Sequence, residues 1–286
     1  MCRFLAYLGT PIIVDALLYQ PKNSLVNQSF HAQEIKEPLN GDGFGMGWYV
    51  PSISEIPAVY TSPMPAWSDR NLRHLAPKVS SPCVFSHVRA SSMGSVSQLN
   101  CQPFQYQNYL FMHNGEIRGF SQIKRNLRRS LSDEIYEWIE GETDSEHFFA
   151  LFLNRLLKKN KTSGVSFLSD TLIETIEELE ALKIKQGVQQ ASSLNIVITD
   201  GRCLVGIRYI SKGYERIPPT LYYSSGKLCT CENGISHMET LSCDKAVLVV
   251  SEKLTDYQDE WNEVPPNHLL EVDDLLSVSI KSLASF

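Results

Sequence analysis

The sequence predicts an α+β fold in which strands and helices occupy separate layers. Strand-like stretches run from Cys2 to His113, two long helical stripes follow, and beyond Gln190 the apolar pattern returns to a period of two. That order fits sheets and helices segregated in layers, not alternating βαβ units.

Cys2 to Leu8 alternates loosely and predicts a strand. Pro11 opens a short helical stretch, Ile12 to Tyr19, which Pro21 stops. Asn23 to Pro38 is polar and predicts a loop. In Asn40-Gly41-Asp42-Gly43-Phe44-Gly45-Met46-Gly47-Trp48-Tyr49 the first half predicts a turn and the second a strand. No Gly-Lys-Ser/Thr follows these glycines and they lead into a strand, which argues against a phosphate loop. Close approach of a neighbouring strand or a small ligand explains them better. Pro51 to Pro65 predicts an irregular hairpin, and Ser68 to Val79 a helix capped by Ser68 or Asp69. Cys83 to Ala90 and Tyr106 to His113 predict strands, with a loop, Ser91 to Gln105, between them. Phe120 to Leu131 predicts an amphipathic helix whose Lys124, Arg125, Arg128 and Arg129 form a solvated face.

The stripe Phe148, Leu151, Phe152, Leu156 and the stripe Leu168, Leu172, Ile176, Leu179, Leu182 predict helices packed onto a sheet. Leu194 to Thr199, Cys203 to Tyr209, Leu221 to Ser224, Ala246 to Val250 and Leu269 to Val272 predict strands. Asp200-Gly201 is a hairpin turn between the first two. No repeat or linker divides the chain, so residues 1–286 are expected to form a single domain.

Composition narrows the function. The chain has 286 residues, 43% hydrophobic and 20% charged, which suits a soluble globular core. A formal net charge of −6 argues against a general nucleic-acid surface. No signal-peptide pattern opens the chain, and no apolar run approaches the ~20 residues that cross a bilayer. Seven scattered cysteines do not make a disulfide framework, and a reduced cytoplasm fits best. Cys229-Thr-Cys231 lacks a matching second pair, so no metal or other cofactor is expected.

Position 2 carries the strongest chemical signal. Removal of Met1 leaves Cys2 with a thiol and a free α-amino group. A thiol titrates near ~8.5 and an α-amino group near ~7.7–8.0, so one residue can supply nucleophile and base. The alternative is a small buried residue opening a strand.

Four further stretches stand out. Arg89, in Ser86-His87-Val88-Arg89-Ala90 at a strand end, can bind a carboxylate with a bidentate fork or form an ordinary ion pair. In His113-Asn114-Gly115-Glu116, the Asn114 amide and the Gly115 N–H can point together at a developing oxyanion, although Asn-Gly is also a common turn. Thr143 and Glu146 have the spacing of a capping box. Asp144 between them is favoured by the helix N-terminus and can bind an ammonium. Asn100-Cys101-Gln102-Pro103-Phe104 reads as structural. Together Arg89, Asp144, Cys2, Asn114 and Gly115 match a substrate with an α-carboxylate, an α-ammonium and a scissile carbonyl, which describes a γ-glutamyl amide such as glutamine.

These residues resemble the class II glutamine amidotransferase domains of the N-terminal-nucleophile hydrolase superfamily. The resemblance rests on Cys2, Asn-Gly-Asp-Gly-Phe-Gly at 40–45, His-Val-Arg at 87–89, His-Asn-Gly-Glu at 113–116 and Thr-Asp-Ser-Glu at 143–146, in the family's order. It implies a four-layer αββα sandwich and Cys2 as nucleophile with its own amine as base. It implies Arg89 on the glutamyl carboxylate, Asp144 on the glutamyl amine, and Asn114 with Gly115 as oxyanion hole. Ala90, Met93 and Gln102 depart from the aromatic, histidine and histidine often found in synthetase-feeding members, which bears on substrate selectivity. No synthetase domain is recognisable after the motifs. Val250-Ser251-Glu252-Lys253-Leu254, followed by Trp261 and Val264-Pro265-Pro266, looks like the stand-alone branch. That branch includes an ergothioneine-pathway γ-glutamyl hydrolase and a glutathione-degrading component that works with a partner. The expected ligand is a small γ-glutamyl compound. A protein partner is an open alternative, as an ammonia-consuming synthetase or as part of a glutathione-degrading complex. So is a non-catalytic γ-glutamyl-binding protein on the same fold.

Overall fold

The computed structural model describes residues 2–34, 39–91, 93–159, 164–213, 215, 218–230, 236–239 and 245–283. Its strands are β1 (Arg3–Ile13), β2 (Phe44–Val50), β3 (Ser54–Ser62), β4 (Ser80–Val88), β5 (Phe104–Tyr106), β6 (Tyr109–Glu116), β7 (Ser193–Thr199), β8 (Leu204–Ile210), β9 (Tyr222–Thr230), β10 (Ser236–Glu239), β11 (Ala246–Val250), β12 (Asn262–Glu263), β13 (His268–Val272) and β14 (Val278–Ser282). Its helices are α1 (Asp15–Leu18), α2 (Leu25–His31), α3 (Arg70–Leu75), α4 (Phe120–Ser130), α5 (Asp133–Trp138), α6 (Asp144–Lys158) and α7 (Val165–Lys185). One sheet runs β10-β9-β11-β1-β4-β2-β3, with β12 also on β9, and the other runs β14-β13-β8-β7-β6-β5.

Three apolar layers hold the sheets and helices together. Between the sheets, Phe4, Ala6, Leu8, Phe85 and Val249 meet Leu110, Met112, Val197 and Leu270. On the outer face of the first sheet, Leu5, Tyr7 and Val84 pack on Leu17, Leu18, Leu25 and Leu72 of α1, α2 and α3. On the outer face of the second, Phe111, Ile196 and Ile207 pack on Ile123, Phe148, Phe152 and Leu172 of α4, α6 and α7. The result is an αββα sandwich. β1 is buried on both faces from Arg3 to Leu8, which explains why its alternation is loose in the sequence. Burial of each such large side chain contributes roughly 1.5–3 kcal/mol. Phe111 stacks on Phe149 with ring centroids 4.8 Å apart.

The strand register gathers one end of the sandwich. β1 begins where β4 ends, Arg3 opposite Val88, and β11 ends beside it, Val250 opposite Leu5. β2 also begins there, Phe44 opposite Val88. In the other sheet β6 ends where β7 begins, Glu116 opposite Ser193. The side chains of Cys2, Asn114 and Ser251 share strand parity with Phe4, Met112 and Val249, so they face the space between the sheets.

Local differences from the sequence reading have identifiable causes. α2 lies inside the stretch read as loop; the Ser24 hydroxyl caps it, accepting from the Asn27 N–H at 3.2 Å, and its buried face includes the polar Gln28 and Ser29. β1 runs past Pro11 to Ile13, with an irregularity in register between Leu8 and Ile12 that accommodates the proline. The helix expected there shrinks to α1. β2 and β3 form the expected irregular hairpin: their register shifts between Trp48 and Val50, opposite the stretch that holds Pro57, and β3 tolerates the proline as an edge strand. Asp69 is the cap of α3, its Oδ1 2.7 Å from the Leu72 N–H. Phe104–Tyr106 is a short strand and not the end of a loop. On the charged face of α4, Arg128 is only half-exposed: its Nε–H donates to His147 Nε2 at 2.9 Å. Gly45 and Gly47 do admit the other sheet, since a Cβ on Gly45 would lie 2.2 Å from the Gln102 carbonyl oxygen and one on Gly47 2.7 Å from Leu110. Cys2, Cys83, Cys101 and Cys203 are free thiols. The expectation about Cys229-Thr-Cys231 lies outside the described residues and side chains.

Candidate active site

Cys2 immediately precedes β1. Its Sγ lies 3.5 Å from the Ala90 carbonyl oxygen, directly past the end of β4. Burial pushes the thiol above its usual range, against the opposing charges of Arg89 and Arg3. The group at neutral pH is therefore a thiol.

The residues that follow are held tightly. Arg3 donates from Nη1 to the Cys2 carbonyl at 2.8 Å and from Nε to Glu252 at 2.5 Å. Both charges are removed from solvent, with 1% and 0% of their side chains exposed. Glu252 also accepts from the backbone N–H groups of Gln33 at 2.9 Å and Glu34 at 3.1 Å. Phe4 donates its N–H to Ser251 Oγ at 3.1 Å.

Arg89 lies one residue past β4. Its N–H bonds the Gly43 carbonyl at 2.8 Å and its carbonyl accepts from Asp42 at 2.9 Å, which locks it against the glycine-rich turn. Nη1 donates to the carbonyls of Asp42 and Ser95 at 3.3 and 3.0 Å, and Nη2 to Ser91 Oγ and the Met93 carbonyl at 3.0 and 2.9 Å. The guanidinium thus organises the loop after it, and its fork is filled by that loop. Among the described residues only Nε–H is left over for a ligand, alongside the charge. The loop is pinned in turn to the start of α6. Glu142 accepts from the N–H and hydroxyl of Ser95, both at 3.1 Å, which pulls its carboxyl below the usual range. Asn100 bridges the Ser95 carbonyl and the Glu142 N–H, each at 2.9 Å.

Asn114 and Gly115 are the last residues of β6 before Glu116, paired in the ladder and not a turn. Asn114 is fully buried; its Nδ2 lies 3.4 Å from Ser251 Oγ and its Oδ1 has no partner among the described residues. A Cβ on Gly115 would sit 2.0 Å from the Ser193 carbonyl oxygen, so only glycine fits. Gln102 clamps the backbone just before them, accepting from the His113 N–H at 2.6 Å and donating to its carbonyl at 3.2 Å. Asp144, the first residue of α6, accepts from the Ile117 N–H at 2.8 Å, and the His113 ring bonds Ser145 Oγ at 2.8 Å. Burial, with help from the nearby Arg89 charge, pushes His87 down to about 3, so this histidine of the inter-sheet layer is neutral.

The structure therefore brings Cys2, Arg89, Asn114, Gly115 and Asp144 to one end of the sandwich. A half-buried thiol, a cation, a carboxylate at a helix N-terminus and two N–H donors are groups that acyl transfer from an amino-acid amide can use. Arg3, Glu252, Ser251, Asn100 and Glu142 support the set, yet carry no local motif. Only the tail resemblance around Val250–Leu254 pointed toward two of them. Among the described residues, no group of three or more His, Cys, Asp or Glu side chains could hold a metal ion, and no helix is long and apolar enough to cross a membrane.

The sequence profile of glutamine amidotransferases class-II matches residues 22–280. A probable glutamine amidotransferase of Saccharomyces cerevisiae, DUG3, is 38% identical over 294 residues, covering 95% of this chain and 82% of the yeast protein. The gamma-glutamyl-hercynylcysteine sulfoxide hydrolase of Mycobacterium tuberculosis is 33% identical over 119 residues, 41% of this chain and 50% of that protein. Among solved structures, a glutamine aminotransferase class-II domain protein from Silicibacter pomeroyi superposes with a TM-score of 0.66 at 26% identity, covering 99% of this chain and all of its own. The glutamine phosphoribosylpyrophosphate amidotransferase of Bacillus subtilis shares the fold, with a TM-score of 0.61 at 16% identity over 98% of this chain and 49% of the bacterial one. The chain belongs to the class II glutamine amidotransferases.

Proposed function

We propose that this enzyme hydrolyses the γ-glutamyl amide bond of glutamine or of a γ-glutamyl-cysteine-type conjugate, with Cys2 as an N-terminal nucleophile exposed by loss of Met1. The observation that carries the reading is the convergence of Cys2, Arg89, Asn114–Gly115 and Asp144 at one sandwich end. The Arg89 charge, with the one N–H that its loop leaves unused, receives the α-carboxylate, and Asp144 the α-ammonium. The γ-carbonyl then lies toward Cys2.

Processed Cys2 carries its own base. The α-amino group of processed Cys2 takes the thiol proton, and the thiolate attacks the γ-carbonyl carbon. The Asn114 amide and the Gly115 N–H hold the resulting oxyanion. Collapse breaks the C–N bond, and the leaving amine takes its proton from the α-ammonium. A γ-glutamyl thioester remains. Water attacks it with the α-amine as base, releasing glutamate and restoring the thiol. Residues 1–286 act as a single domain in this scheme, and the cytoplasm is the compartment that suits free cysteines.

The long match to a protein named as an amidotransferase favours a second reading, in which the released ammonia passes to a separate synthetase partner. Released glutamate, measured for glutamine, glutathione and a γ-glutamyl sulfur–histidine conjugate, separates the two. Hydrolysis of a conjugate by the chain alone supports the first reading. Activity confined to glutamine and raised sharply by a partner supports the second. Cys2→Ala abolishes turnover in either case without unfolding the protein, and retained turnover would falsify both.

A further inference from the structure

We infer that Ser251 is a positioning residue that orients the Asn114 amide and fixes it to the nucleophile's strand. This rests on the reading above, in which Asn114 serves the oxyanion. Ser251 directly follows β11 and is fully buried. It grips Phe4 on both sides: its N–H donates to the Phe4 carbonyl at 3.1 Å, and its Oγ accepts the Phe4 N–H at 3.1 Å. The same Oγ lies 3.4 Å from Asn114 Nδ2, in the facing sheet. Its carbonyl is held by Thr220 Oγ1 at 2.9 Å.

The Ser251 hydroxyl is the one hydrogen-bond partner of the Asn114 side chain among the described residues, since Asn114 Oδ1 has none. A primary amide carries two N–H donors. One is spent on Ser251, which sets the plane of the amide and leaves the second for an oxyanion. Phe4 stands two residues after Cys2 on the same face of the strand, so one hydroxyl sets the spacing between nucleophile and oxyanion donor. Geometry of this kind must be held to about 0.5 Å. The next residue, Glu252, holds Arg3, so the dipeptide grips both residues that follow Cys2.

The test measures glutamate release from glutamine or glutathione by the full chain with Met1 removed. Losing an oxyanion donor outright costs about 10²–10³ in kcat. Disordering it should cost part of that: Ser251→Ala is expected to lower kcat roughly 10- to 100-fold with KM within about threefold. In an Asn114→Ala background the same change should cost less than about twofold, because the residue it acts through is gone. Ser251→Thr and Ser251→Val have nearly the same volume and differ in the hydroxyl. The threonine variant should retain at least about tenfold more kcat than the valine variant, which isolates the hydrogen bond even if the added methyl strains the site. A kcat within twofold of the parent for Ser251→Ala, equal kcat for the threonine and valine variants, or a loss undiminished in the Asn114→Ala background would each overturn the proposal. If Cys2→Ala or Asn114→Ala leaves turnover intact, it is the underlying catalytic reading that fails.

Discussion

Glu252 is where a single substitution should be felt most. Its carboxylate is wholly buried and takes three donors: the Arg3 Nε–H at 2.5 Å, the Gln33 N–H at 2.9 Å and the Glu34 N–H at 3.1 Å. Glu252→Gln preserves the shape but removes the charge and replaces one oxygen with an NH2 group. If that NH2 takes the place of Oε2, the Gln33 N–H faces a donor; if it takes the place of Oε1, both Arg3 and Glu34 do. Either way a guanidinium with 1% of its side chain exposed loses its counter-charge. Breaking a buried pair from one side costs about 3–5 kcal/mol. At about 2–4 °C per kcal/mol for a large domain, the melting temperature should fall by roughly 6–20 °C. Urea unfolding checks this directly, with a lower midpoint at unchanged slope. Replacing both partners together, Arg3→Met with Glu252→Leu, should recover only part of the loss, because the desolvation cost of the pair goes with its attraction but the Gln33 and Glu34 N–H groups lose their acceptor. A Glu252→Gln protein within about 0.5 kcal/mol of the parent, inside the range of an ordinary surface change, would refute the account of this ion pair.

Two further predictions follow from the same geometry. Burial holds His87 neutral down to about pH 3 and His147 down to about pH 4, whereas an unfolded histidine titrates near ~6.5. Depressed folded values mean that the stability is present above pH ~6.5 and is lost as pH falls toward the folded values. Each histidine should contribute about 2 kcal/mol of loss between pH 6.5 and 5, readable as a falling urea midpoint. A midpoint flat across that interval contradicts their neutral burial. Gly115→Ala should lower stability by about 1–3 kcal/mol and abolish most turnover, because its Cβ meets the Ser193 carbonyl and forces β6 from β7. If the Gly115→Ala protein is active and equally stable, judged by glutamate release and thermal melting, the two strands are not so tightly apposed.

Much of the layered architecture was legible because the long stripes of α6 and α7 and the short apolar runs of β6, β7 and β11 each have one period. α2 was not legible, because half of its buried face is polar and reads as loop. β1 hid its extent behind Pro11, and the Asn114–Gly115 pair looked like a turn although the ladder continues through it. The site shows the same division. Cys2, Arg89, Asn114, Gly115 and Asp144 stand at strand ends or a helix start, where sequence leaves a local mark. Their supports do not: Arg3 and Glu252 are 249 residues apart and Asn114 and Ser251 are 137 apart. Such bonds have neither period nor motif and become visible only when the sheets are stacked. The filled fork of Arg89 was hidden for another reason: three of its four partners lie within six residues, in a loop with no regular pattern, and the fourth is the Asp42 carbonyl.

The central claim is that the processed chain end performs the bond cleavage. Intact and peptide mass spectrometry of the enzyme, acid-quenched during turnover of its γ-glutamyl substrate, reads this directly. The account predicts a chain lacking its initiator methionine, with a glutamyl group attached by a hydroxylamine-labile bond to the peptide that begins at Cys2. Glutamate production by protein that still carries Met1, or a glutamyl group trapped on any other peptide, contradicts it.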